Sequence, residues 1–143
     1  MADSPYSANP KPLSYNPAEA TKLLGKAGFK EVGDDGVLFR VVKEGGQEKR
    51  ERASFELMHA YLPHNKWATV FKEDAKKVGV EINIKFLEWT TASKLRDELQ
   101  FDTFAMGWGG DPVPAPRQIF HGAGVLKTGT SNVAGIDHQV LNT

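Results

Sequence analysis

Between Asn16 and Gly28 the apolar positions Ala20, Leu23, Leu24 and Ala27 recur at helical spacing and share one face, so the segment predicts a helix lying on a core. Asn16, Pro17 and Glu19 supply an N-cap, a first-turn proline and a capping-box acid, and Gly28 stops the helix. Residues 1–15 read as an extended lead-in. The pattern then shortens. A Gly-Asp-Asp-Gly turn, an apolar run from Val37 to Val42 and a second turn at Gly45-Gly46 predict a hairpin into the next strand. Phe55, Leu57 and Tyr61 fall on one face of the stretch that follows, and Trp67, Phe71, Ala75 and Val78 then return to helical spacing. Val80, Ile82, Ile84 and Phe86 alternate with Glu81, Asn83 and Lys85, as in a strand with one buried face. A further helix is predicted with Thr90 or Thr91 as cap and Ala92, Leu95 and Leu99 inward, leading into a strand at Phe101. Strand, helix, strand, helix, strand is the rhythm of right-handed crossovers between parallel strands. The expected fold is therefore α/β, a small layer with a mixed sheet, its hairpin at one side and helices packed on it.

The last of these strands ends unusually. In "FDTFAMGWGGDPVPAPRQIF", Phe104, Met106 and Trp108 alternate with Thr103, Ala105 and Gly107, and Gly109-Gly110 then turns the chain and delivers Asp111 at the strand end. Strand ends are where α/β folds bind ligands, and an acid presented there beside an aromatic could hold an ammonium. An Asp followed by Pro is equally an ordinary turn starter. These residues alone leave both readings open.

Composition narrows the partners. Eighteen basic and eighteen acidic residues cancel, with no strong basic stripe, which removes the usual electrostatic footprint for nucleic acid or an anionic membrane. The absence of Cys excludes a disulfide framework, a zinc–thiolate site and a thiol nucleophile, and fits either cytoplasm or an oxidising exterior. A chain of 143 residues reads as one domain. Its N-terminus is polar and Pro-rich, without the basic-then-apolar order of a signal peptide and without a membrane span, so the chain as given is expected to be soluble. It stops at "DHQVLNT" without a capping signal, as an excised piece of a longer parent would.

Catalytic and metal motifs are missing. The four His, at 59, 64, 121 and 138, form no metal-ligand or nucleophile spacing, and no Gly-x-Ser-x-Gly, His-Glu-x-x-His or phosphate-binding Gly-x-x-x-x-Gly-Lys occurs, so no cofactor is expected. His59 falls in a strand and His64 at a helix start, where hydrogen-bonded structural or surface roles outnumber catalytic ones. Asp34 and Asp35 lack the alternating acids and distant Glu of a calcium loop. Trp67 reads as a core residue and Trp89 as a helix-start staple, while Trp108, flanked by glycines, has room for a ligand. The run Lys49 to Arg52 is expected on an exposed strand edge, where charge discourages strand addition.

Three separated segments, "YNPAEATKLLGKAGF", "KEDAKKVGVEINIKFLEW" and "FDTFAMGWGGDP", together resemble, in order and spacing, the C-terminal lobe of the peptide- and nickel-type (family 5) solute-binding proteins of ABC importers. The likeness runs over roughly residues 13–143. It implies one lobe of a type II periplasmic-binding-protein fold, spanning residues 16–143 here. It also implies a parent that is periplasmic or on the cell surface, with a peptide or other small solute held against the remaining lobe and an ABC permease as partner. In peptide-binding members the Asp of Gly-Trp-x-x-Asp receives the ligand's α-ammonium. The matching position is Asp111, with Trp108, Gly109 and Gly110 lining the same wall. Pro112 stands where many relatives carry Tyr or Asn, Arg117 where an apolar residue is common, and Ile136 where an aromatic is frequent, so the ligand class stays open. The rival reading is a small stand-alone hydrolase-like α/β enzyme using Asp111 with His121. A third is an interaction domain with Asp111 paired to Arg117.

Overall fold

The chain is seen in a computed structural model that describes residues 13–107, 119–125 and 127–139. Helix α1 (Pro17–Lys26) begins as its sequence predicts, with Asn16 Oδ1 accepting the Glu19 N–H at 3.0 Å. It ends at Gly28, whose φ of 94° lets Phe29 N–H reach Leu24 O at 3.0 Å and Gly28 N–H reach Gly25 O at 3.2 Å. Of the expected inward face, Leu24 packs on the core, whereas Leu23 is exposed.

Strands β1 (Glu31–Val32), β2 (Leu38–Glu44) and β3 (Gln47–Arg52) form an antiparallel sheet in that order. The β2–β3 turn is the predicted Gly45-Gly46 pair, with φ of 60° and 84°, between the paired residues Glu44 and Gln47. Positive φ at both positions is what a two-residue hairpin demands. The basic run lies on β3, an edge of this sheet, as expected. Its arginines are engaged there. Arg50 pairs with Glu31 at 3.1 Å and Arg52 with Glu81 at 3.1 Å and with Asp35, while both guanidinium groups lie over the Phe39 ring.

Strands β4 (Ser54–His59), β5 (Glu81–Phe86) and β6 (Thr103–Ala105) form a second sheet, all parallel, in the order β5-β4-β6. Helix α2 (His64–Lys76) connects β4 to β5 and α3 (Trp89–Asp97) connects β5 to β6. The parallel and antiparallel pairings expected of one mixed sheet are thus divided between two, and Ala53 is their junction. Its N–H donates to Leu38 O at 2.8 Å, its carbonyl accepts from Glu81 N–H at 2.9 Å, and its side chain is fully buried.

Leu57 and Ile82 of the parallel sheet pack with Ala68 and Ala75 of α2. The helix therefore approaches the sheet through small residues, which corrects the expectation for Trp67. A methyl-sized contact surface draws the helix axis close and leaves the indole on the flank, 43% exposed. Helix α3 starts earlier than a Thr cap would allow, at Trp89, because Ala92 N–H already donates to Glu88 O at 2.9 Å. It ends on Leu99, which takes the left-handed φ of 57° with no glycine to ease it, fixed by Gln100 N–H to Leu95 O at 2.8 Å. Asp102 and Thr103 serve strand pairing: Asp102 Oδ2 accepts the Glu56 N–H at 2.9 Å, and Thr103 Oγ1 donates to Glu56 O at 2.7 Å. Among the described residues no helix is long and apolar enough to cross a membrane.

Candidate functional site at the parallel strand ends

The strand order fixes where a ligand can enter. From β4 the chain moves to β5 on one side, then crosses back past β4 to reach β6 on the other. With right-handed crossovers, connections running in opposite directions lie on opposite faces of the sheet, and a crevice opens between the carboxyl ends of the two strands where the direction reverses. Those strands are β4 and β6.

A cavity of about 500 Å³ occupies that position. Its wall comes from the segment after β4 (Ala60, Tyr61, His64), from Trp89 after β5, and from the end of β6 (Phe104 to Gly107). The wall is aromatic, and each ring is held by a neighbour. Tyr61 and His64 meet edge to face with centroids 5.1 Å apart, His64 and Trp67 lie 5.4 Å apart, and the Arg96 guanidinium sits 5.8 Å from the centre of the Trp89 ring.

Beneath this wall lies His59, fully buried at the end of β4, with His64 at 6.0 Å and Phe86 at 5.5 Å between ring centres. The sequence suggested a hydrogen-bonded structural histidine. Among the described residues, however, neither ring nitrogen of His59 has a hydrogen-bond partner, and the buried Nδ1 of His64 has none either. Buried polar groups are satisfied in the great majority of cases, so these nitrogens stand out, as does the buried Ser93 Oγ on α3, which likewise has no partner among the described residues.

The residues singled out from sequence, Trp108, Gly109, Gly110 and Asp111, lie outside the described residues, as do Pro112 and Arg117. The described chain runs as far as Gly107, in the cavity wall. His121, the partner in the rival enzyme reading, spends Nδ1 on the backbone, accepting Ala123 N–H at 3.0 Å. Asn132 is buried and ties the tail together, donating to His121 O at 3.1 Å and Ile136 O at 2.7 Å while accepting Ile136 N–H at 3.0 Å.

The marked electrostatic effects lie away from the cavity, around the two sheets' junction. The Arg52 guanidinium, with Ser54 Oγ, holds the Glu81 carboxyl below its usual range. Arg52 and the Val37 N–H do the same for Asp35, and Arg40 for Glu51. Asp35 is thereby committed to an ion pair rather than free for a cation.

A parallel sheet with a reversal of strand order, and an aromatic cavity at its carboxyl edge, is the architecture of an α/β ligand-binding lobe. The chain belongs to the family described as bacterial extracellular solute-binding proteins, family 5 middle, whose profile matches residues 1–124. It is 29% identical over 135 residues to the oligopeptide-binding protein AppA of Bacillus subtilis, covering 89% of this chain and 24% of that protein. It is 33% identical over 117 residues to a probable ABC transporter-binding protein of Deinococcus radiodurans, covering 73% of this chain and 18% of the relative. The structure of Bacillus subtilis AppA in complex with a nonapeptide superposes with a TM-score of 0.74 at 28% identity, over 97% of this chain and 28% of AppA. NikZ from Campylobacter jejuni, solved with Ni(L-His), shares the fold at 21% identity and a TM-score of 0.68, over 90% of this chain and 24% of NikZ. The chain thus spans less than a third of the length of these relatives, between 18% and 28%.

Proposed function

We propose that the chain forms part of one lobe of a two-lobed receptor that captures an oligopeptide outside the cytoplasmic membrane and delivers it to the permease of an ABC importer. The observation that carries this reading is the cavity at the switch point of the parallel sheet. Its wall includes Met106 and Gly107, and the sequence that follows is Trp108-Gly109-Gly110-Asp111. Membership of a solute-binding family and 28% identity to a protein solved with a nonapeptide support it.

In this reading Asp111 receives the α-ammonium of the peptide, and Trp108 with the Gly109-Gly110 backbone lines the same wall. A desolvated ammonium needs a carboxylate partner, and removing one member of such a pair costs about 2–5 kcal/mol. The second lobe closes over the ligand and excludes water. The test is native mass spectrometry of the full-length receptor purified from its source. Carried-over ligand with peptide masses is the expected result, and a sugar or a metal chelate as the sole ligand would contradict it.

A further inference from the structure

We propose that the outer edge of β5 pairs with the same strand of a second copy of the protein, the two strands running antiparallel about a two-fold axis at Asn83, with Glu81 of each copy opposite Lys85 of the other.

Four strands are sheet edges among the described residues, and three of them suit strand addition poorly. β1 has two residues and β6 three, so each offers few outward backbone groups. β3 reads Gln-Glu-Lys-Arg-Glu-Arg, and such a run of charge deters an incoming strand. β5 is different: Glu-Ile-Asn-Ile-Lys-Phe is six residues long, and its one acid and one base cancel. Both charges are also matched within the chain, Glu81 by Arg52 at 3.1 Å and Lys85 by Glu56 at 3.0 Å. The lysine that would otherwise protect this edge is thereby neutralised. A groove of about 290 Å³ lies beside Val80 to Asn83, between Lys72 and Lys76 of α2 and the segment at Asp35 and Val37.

The backbone limits the possible registers. Glu81 N–H donates to Ala53 O at 2.9 Å and Leu87 N–H to His59 O at 3.0 Å, so the odd-numbered residues of β5 turn their backbone groups toward β4. Ile82 and Ile84 turn theirs outward, and an antiparallel copy must set even residues against even ones. Axes at Ile82, Asn83 and Ile84 all meet this condition, and the side chains choose among them. With the axis at Ile82, Glu81 faces Asn83 of the copy; with the axis at Ile84, Asn83 faces Lys85; neither opposes unlike charges. With the axis at Asn83, Glu81 faces Lys85, Ile82 faces Ile84, and Asn83 faces itself through an amide that both donates and accepts. Arg52, Glu81, Lys85 and Glu56 then alternate in sign across the interface. Six residues a side make a small contact, so the pair forms a weak dimer.

The experiment uses the full-length receptor that carries this chain, and the absence of Cys from the chain makes a single introduced cysteine specific within it. The axial pair is not hydrogen-bonded and brings its Cα atoms to about 4.5 Å, which a disulfide can span. Asn83→Cys should therefore cross-link on oxidation well ahead of Gln47→Cys on the exposed hairpin turn, with the linked peptides identified by mass spectrometry. In sedimentation, Asn83→Asp and Asn83→Lys should each weaken the dimer about 5-fold by placing like charges across the axis, and a one-to-one mixture of the two should restore it. Urea unfolding checks that each variant is folded. A wild-type receptor that stays monomeric, as it would if a strand from elsewhere in the receptor covered β5, overturns the proposal. So does equal cross-linking at positions 47 and 83, or a mixture no more dimeric than its components.

Discussion

Gly79 closes the Lys-Lys-Val-Gly-Val segment at the end of α2, and replacing it with alanine separates two physical costs that one position combines. Its φ of 80° is left-handed, which costs a non-glycine residue about 1–2 kcal/mol. The added Cβ would stand 2.6 Å from Leu38 Cγ and 3.3 Å from the Gly36 carbonyl oxygen, and overpacking of this kind costs about 1–3 kcal/mol more. Nor can the strand easily move away, because Leu38 N–H donates to Gly79 O at 2.8 Å and Leu38 O accepts from Ala53 at the junction of the two sheets. Gly79→Ala should therefore destabilise the fold by about 2–5 kcal/mol. Gly36 is the internal control: its φ is 81°, but nothing lies within 4 Å of a Cβ built there. Gly36→Ala should cost only the backbone part, about 1–2 kcal/mol. Urea unfolding followed by tryptophan fluorescence measures both, and equal midpoints for the two variants would refute the reasoning about close approach.

Two further outcomes are expected. His59→Leu removes buried nitrogens that have no partner among the described residues and should stabilise the fold by about 1–3 kcal/mol in urea, whereas a loss of that size would show the ring to be hydrogen-bonded. Arg52 holds the Asp35 and Glu81 carboxyls below their usual range, so the stability they contribute is fully present above the ordinary carboxylate value of about 4 and is lost as pH falls through the depressed folded-state values. The unfolding midpoint should accordingly drop as the solution is acidified below about pH 4, and Arg52→Gln should show a shallower acid decline; parallel pH profiles would remove Arg52 from the account.

Local signals were legible where one residue type does one physical job. Asn16 caps a helix, Gly28 ends it, and Gly45-Gly46 turns a hairpin, each as its side chain or its lack of one dictates. The alternation of Ile82 and Ile84 with Asn83 likewise marked a buried face. What escaped depends on contacts between distant segments. Nothing in "RERASFE" announces that the strand changes sheets at Ala53, because that change is made by bonds to Leu38 and Glu81. Trp67 looked like core because the helical period alone cannot say that Ala68 faces the sheet. Leu99 adopts a glycine-like backbone, held by the hydrogen bonds Leu99 N–H to Arg96 O and Gln100 N–H to Leu95 O, that its side chain does not announce. The cavity was invisible for the same reason: Tyr61, His64, Trp89 and Phe104 meet only once β4, β5 and β6 are side by side. The segment Trp108 to Asp111, by contrast, stood out in the sequence and falls outside the described residues, directly after the cavity wall.

The most direct test of a receptor that reads a peptide's amino end is calorimetry of the full-length, two-lobed protein with one peptide in free and N-acetylated form, repeated for Asp111→Asn. The account predicts that acetylation weakens binding to the wild type by about 2–5 kcal/mol, the worth of a desolvated charge pair, and that Asp111→Asn loses a similar amount for the free peptide while hardly distinguishing the two forms. Equal affinity of the wild type for free and acetylated peptide would contradict it, leaving Gly-Trp-Gly-Gly-Asp-Pro as a turn and nothing more.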